Sequence, residues 1–146
     1  MNTGLNPIWE ITILNVAEPG VPNRERIAIR PMQQVFLGDF GIGIGWRDDP
    51  LRDFIKPMRD QFYWFPNREA SPPLWIFVYT GKGTDTETVM HTGEPALVFH
   101  WGRENTIFNF AEIVPVIYRV PDMIIGPCPS KPPLKEVIAE RKALKG

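Results

Sequence analysis

The sequence predicts an all-β fold, an antiparallel β-sandwich or barrel followed by a short C-terminal helix. Short β-branched and aromatic runs recur between turn residues, which is the pattern of packed sheets rather than of helices. Sixteen prolines and twelve glycines in 146 residues interrupt the chain often, because proline avoids helix interiors and central strands. The stretch from Trp75 to Tyr118 is the densest apolar and aromatic run. It reads as three strands separated by a long glycine-containing loop and a turn. At this length one domain is expected, with residues 1–120 as the β-sandwich and 121–146 as a proline-rich tail with a short amphipathic helix.

Each element follows from local pattern. Ile8 to Val16 (IWEITILNV) is a first strand, with Trp9, Ile11 and Ile13 on one face, ended by Pro19, Gly20 and Pro22. Arg26 to Arg30 (RIAIR) alternates, so Ile27 and Ile29 point inward and Arg26, Ala28 and Arg30 face water. Phe40 to Trp46 (FGIGIGW) puts Phe40, Ile42, Ile44 and Trp46 on one face and three glycines on the other. Such a glycine face lies under a neighbouring backbone or a large side chain. The run lacks the Lys-Ser/Thr ending of a phosphate-binding loop. Arg47 to Gln61 is charged and broken by Pro50 and Pro57; it reads as an insertion over the sheet, with a turn or two of helix around Leu51 to Ile55. Phe62 to Phe65 (FYWF) is an aromatic strand closed by Pro66. Alternation sets Phe62 and Trp64 against Tyr63 and Phe65, so one pair faces outward. After Tyr118 the chain is irregular and extended, and Leu134, Val137, Ile138 and Leu144 lie near one helical stripe.

Composition narrows the function classes. The chain is 43% hydrophobic and 23% charged, with a net charge of −1, as in an ordinary globular protein. Nonspecific nucleic-acid binding calls for a basic excess, which is missing. Cys128 is the only cysteine, so no intrachain disulfide and no multi-cysteine zinc site forms. The N-terminus shows no signal peptide, and no apolar run approaches the ~20 residues of a membrane helix. A cytoplasmic protein with no membrane contact is expected.

Several marks in order resemble a known family. Ile27 to Arg30 supplies a strand of alternating apolar residues, followed by Leu37-Gly38-Asp39-Phe40 and the Phe65-Pro66 step. Ile76 to Thr86 (IFVYTGKGTDT) ends a strand in a threonine–glycine loop, and His100-Trp101-Gly102-Arg103 forms a tryptophan–glycine turn. Ile107-Phe108-Asn109 precedes a last apolar strand, Val114 to Val120. Together they cover roughly Ile11 to Val120 and resemble a divergent, bacterial-type lamin-tail domain, the immunoglobulin-like sandwich also found at the C-termini of nuclear lamins. The resemblance implies a noncatalytic binding or scaffolding module with no catalytic residues and no cofactor.

Direct inspection for chemistry agrees in direction. His91 and His100 are the only histidines and flank Glu94, so a metal-dependent hydrolase built on them is one alternative. A hydrogen-bonded structural role suits His100 better, because it adjoins Trp101 at a strand end. Ser71, Ser130 and Cys128 each adjoin proline, and no base is visible to activate them. Arg59, Phe62, Tyr63, Trp64 and Arg68 interleave basic and aromatic residues, the pattern of a nucleic-acid-associated module and a second alternative. Exposed aromatics signal a protein interface first. The expected partner is therefore another protein or a second copy of the chain. The expected partner-binding residues are Trp46, Arg59, Tyr63, Trp64 and Arg68, with the charged insertion beside them and the C-terminal helix as a second contact.

Overall fold

The computed structural model describes residues 7–51, 55–120 and 122–129. Ten strands are present among them: β1 (Ile11–Ala17), β2 (Arg26–Pro31), β3 (Val35–Phe36), β4 (Phe40–Trp46), β5 (Lys56–Trp64), β6 (Glu69–Ala70), β7 (Trp75–Tyr79), β8 (Thr86–Val89), β9 (Pro95–His100) and β10 (Ile113–Arg119). A single 3-10 turn, Leu37–Asp39, lies between β3 and β4. The fold is all-β, as expected. The amphipathic helix read from Leu134 to Leu144 lies outside the described residues.

Five strands form one sheet in the order β1-β2-β7-β9-β8, and three form another in the order β10-β4-β5. The small β3–β6 pair makes a third sheet. The expectation of purely antiparallel pairing is corrected at one place, since β7 and β9 run parallel, with Trp75 opposite Ala96 and Tyr79 opposite His100. The crossover that parallel strands require is the 80–94 segment, which carries β8 back along the far side of β9. The long loop expected after Tyr79 therefore contains a strand of its own.

Alternation decides what each strand buries. Ile27, Ile29, Ile76, Val78, Leu97 and Phe99 of the larger sheet join Phe40, Ile42, Ile44 and Ile113 of the smaller one in a single apolar cluster. Burying each such side chain is worth about 1.5–3 kcal/mol, so this shared core fixes which face of each sheet turns outward. In β1 the alternation slips at a bulge between Ile13 and Asn15. Trp9, expected to share the inward face of Ile11, lies before the strand and is 66% exposed. In β2 the expectation of a wet face is corrected at Ala28, which is buried: its small side chain sits directly across from the large Phe77 of β7 on the same face.

The region from Arg47 to Gln61 is not one insertion. Lys56 to Gln61 belongs to β5, with Pro57 opposite Gly45. A proline is tolerated there because β5 is the edge strand of its sheet. Between the Gly43–Phe62 and Gly45–Pro57 pairs the ladder advances two residues on β4 and five on β5. The extra residues form a large, irregular bulge at the sheet edge. The helical turn expected near Leu51 to Ile55 falls largely on residues 52–54, outside the described residues.

A buried carboxylate ties the loops at one end of the core. Glu25 is 1% exposed. Its Oε1 accepts hydrogen bonds from the Thr80 hydroxyl at 2.7 Å and the Ile107 N–H at 2.8 Å. Its Oε2 accepts from the Gly20 N–H at 2.7 Å and the Phe108 N–H at 2.9 Å. Four donors from three segments replace the water that a buried charge must otherwise give up. They hold Ile107 and Phe108, both buried, against the core ahead of β10.

Candidate functional site

The outer face of the smaller sheet is built around the glycines of β4. In register, Gly41 lies opposite Trp64 and Tyr118, and Gly43 opposite Phe62 and Val116. With no side chains on that face, aromatic rings from both neighbouring strands lie directly over the β4 backbone. A Cβ at Gly41 would come within 2.3 Å of Phe62 Cζ, and one at Gly43 within 2.3 Å of Tyr118 Cε2. The alternating glycines of FGIGIGW thus sit beneath large side chains, as their spacing predicts.

The result is an open aromatic cluster. The rings of Phe62 and Tyr118 are 6.0 Å apart, and those of Phe62 and Trp64 6.1 Å apart in an edge-on arrangement. Phe62 is 45% exposed, Trp64 62% and Tyr118 37%. A groove of about 350 Å³ runs beside them, lined by Gly43, Met58, Gln61, Phe62, Tyr118 and Val120. The Gln61 side-chain oxygen is buried and has no hydrogen-bond partner.

The expected partner-binding residues divide between the two faces of this sheet. Trp64 is outside. Tyr63, opposite Ile42, points inward and packs against Trp101 at 5.5 Å and Phe65 at 5.6 Å between ring centres. Its phenol pKa is pushed well above the ordinary tyrosine value by burial, with the Asp85 carboxylate adding to the shift. Trp46 shares the inward face of β4, is half-buried beside Phe110 and donates its indole N–H to Asp48. Arg68 is ion-paired with Glu87 on β8. Arg59 lies on β5, and its side chain is outside the described residues. The outward pair of FYWF is thus Phe62 and Trp64, and Tyr118 and Gln61 complete a surface that the sequence reading did not assemble. The sequence signal that points to it is the glycine alternation on β4, which requires large side chains from neighbouring strands.

The two histidines are not brought together. His91 is exposed at the tip of the β8–β9 hairpin, whereas His100 ends β9. The six-residue strand between them spans roughly 17 Å at 3.3 Å per residue. His100 is stacked on Tyr79 at 5.4 Å, and its backbone N–H donates to Asp85 at 2.8 Å. Among the described residues no group of three or more His, Cys, Asp or Glu is placed to hold a metal ion.

The outer face of the larger sheet carries a second aromatic row. Trp75 and Phe77 stack at 5.9 Å, and Arg30 lies over Trp75 at 4.2 Å. Arg26 lies over Tyr79 at 5.6 Å. Both arginines are matched by acids: Arg26 pairs with Glu18 at 2.6 Å, and Arg30 with Glu94 at 2.9 Å. The Arg26 hydrogen bond holds the Glu18 carboxyl below its ordinary value. The Trp75 indole N–H, which approaches Glu94 outside good hydrogen-bond geometry, lowers Glu94, with Arg30 and Thr92 adding to the shift. This face is therefore neutralised and half-buried, unlike the open cluster on the smaller sheet.

Among the described residues no helix is long and apolar enough to cross a membrane. An all-β domain with one open aromatic face is the class that the fold and site define. No family model, no curated protein and no solved structure matches the chain.

Proposed function

We propose that this chain is a noncatalytic protein-binding or scaffolding module that works within a larger assembly, with the Phe62–Trp64–Tyr118 face as its contact surface. The observation that carries the reading is this exposed aromatic cluster laid over a glycine strand. Large aromatics grouped at a surface are the composition of interface hot spots, whereas scattered apolar residues are not. The rigid β4 floor keeps the rings ordered before contact, which lowers the entropy cost of binding.

For the fold we propose a divergent immunoglobulin-like sandwich of the lamin-tail kind. Its support is local. The TGKG loop and the HWGR turn, the two most specific marks of the resemblance, lie side by side. The Gly102 N–H donates to the Gly81 carbonyl at 3.0 Å, and the Arg103 N–H to the Thr80 carbonyl at 3.0 Å. The five-stranded and three-stranded sheets sharing one core fit a sandwich, while the parallel β7–β9 pair is this chain's departure from it.

The binding reading is tested by comparing the wild-type protein with a Phe62→Ser/Trp64→Ser variant as baits in lysate of the source cell. Circular dichroism would verify that both are folded. A protein retained by the wild type and lost from the variant is expected. Equal retention by both would place the contact surface elsewhere.

A further inference from the structure

The chain carries its own match for the groove. Beyond β10 the backbone stays tied to the smaller sheet as far as Val120, whose N–H donates to the Asp39 carbonyl at 2.7 Å. Residues 122–129 then run exposed and without regular structure. Within them Met123 is 54% exposed, Ile124 98% and Ile125 85%. Three consecutive large apolar residues held in water form a contact segment that is incomplete in the single chain. Gly126, Pro127 and Pro129 follow, and prolines keep such a segment extended rather than helical.

The groove has complementary chemistry. It offers apolar walls from Met58, Phe62 and Tyr118. An extended peptide brings apolar side chains that match such walls. The chain's own segment does not occupy its own groove, since residues 122–129 are all exposed. A net charge of −1 gives two copies no long-range repulsion to overcome.

Resting on the protein-binding reading above, we propose that the partner is a second copy of this chain. The Met123–Ile125 segment of each copy seats in the Phe62–Gln61–Tyr118 groove of the other. One segment and one groove per chain make a reciprocal exchange self-complementary, so the assembly closes as a two-fold dimer.

The test is sedimentation equilibrium of the full chain over a wide concentration range, with two variants. Ile124→Asp/Ile125→Asp alters only exposed positions of the segment, so its fold is expected to be unchanged. Phe62→Ser/Trp64→Ser alters the groove. A reversible dimer is expected for the wild type, with at least tenfold weaker association for each variant alone. Mixing the two variants is expected to restore a heterodimer with one intact segment–groove contact. A wild type that stays monomeric at every concentration, or a dimer that neither variant weakens, would overturn the exchange. Retention of a different protein by the wild type but not by the groove variant would then still support the aromatic face, so the two readings fail separately.

Discussion

Glu25 shows how one residue can decide the shape of several loops. Its carboxylate is buried and accepts four hydrogen bonds from Gly20, Thr80, Ile107 and Phe108. Glu25→Gln keeps the volume but exchanges one acceptor oxygen for a donor, leaving backbone N–H groups unmet. It is expected to destabilise the fold by about 2–4 kcal/mol, read as a lower urea midpoint with an unchanged slope. The exposed Glu18→Gln change serves as the comparison and is expected to leave the midpoint nearly unchanged. Tyr63 gives a second residue-scale prediction. Its folded-state pKa is raised, so the folded form holds its proton after the unfolded chain, which titrates near pH 10, has begun to lose it. Stability contributed at neutral pH is thus lost as pH rises above about 10, at no more than about 1.4 kcal/mol per pH unit. Tyr63→Phe is expected to match the wild type near pH 7 and to fall less steeply above pH 10 in denaturation measured across that range.

At the scale of elements, β4 organises the open aromatic face. Its inward residues Phe40, Ile42 and Ile44 are core, and its outward glycines admit the rings of Phe62 and Tyr118. Gly43→Ala forces a Cβ into the outer end of the exposed Tyr118 ring, which can swing aside, so it is expected to cost less than about 1 kcal/mol. Because Tyr118 is the obstacle, Gly43→Ala combined with Tyr118→Ala is expected to cost less than the sum of the single changes. A strictly additive result in thermal denaturation would show that the ring does not rest on the glycine. This element was legible in the sequence, since the two-residue glycine period forces a strand with one empty face. So was the division of FYWF into two pairs. Which pair faces out was not, because it depends on the register of β5 against β4, set by a bulge in a region that reads as a loop around Pro57. The parallel β7–β9 pair was hidden for a similar reason: β8 is polar and fully exposed, and no apolar period marks it. The role of Glu25 is invisible along the chain, because three of its four donors lie 55 to 83 positions away.

At the scale of the whole molecule, the two outer sheet faces differ in exposure and in how their charges are paired. On the larger sheet, Arg26 and Arg30 lie across aromatic rings and are paired with Glu18 and Glu94, so the charged groups there are neutralised in pairs. On the smaller sheet, Phe62, Trp64 and Tyr118 stand open, and an exposed apolar segment leaves from the adjoining strand. In the proposed contact the groove's one charged lining residue, Arg119, is already paired with Glu10, so its strength is expected to change only modestly with salt, in contrast to the steep loss that nucleic-acid binding shows. The most direct measurement is photocrosslinking from a probe amino acid placed at position 64, with the same probe at Phe77 on the opposite outer face as reference. The account predicts that the position 64 probe crosslinks to protein, including residues 123–125 of a second copy, and that the position 77 probe does not. Crosslinks from position 77 with none from position 64 would contradict it.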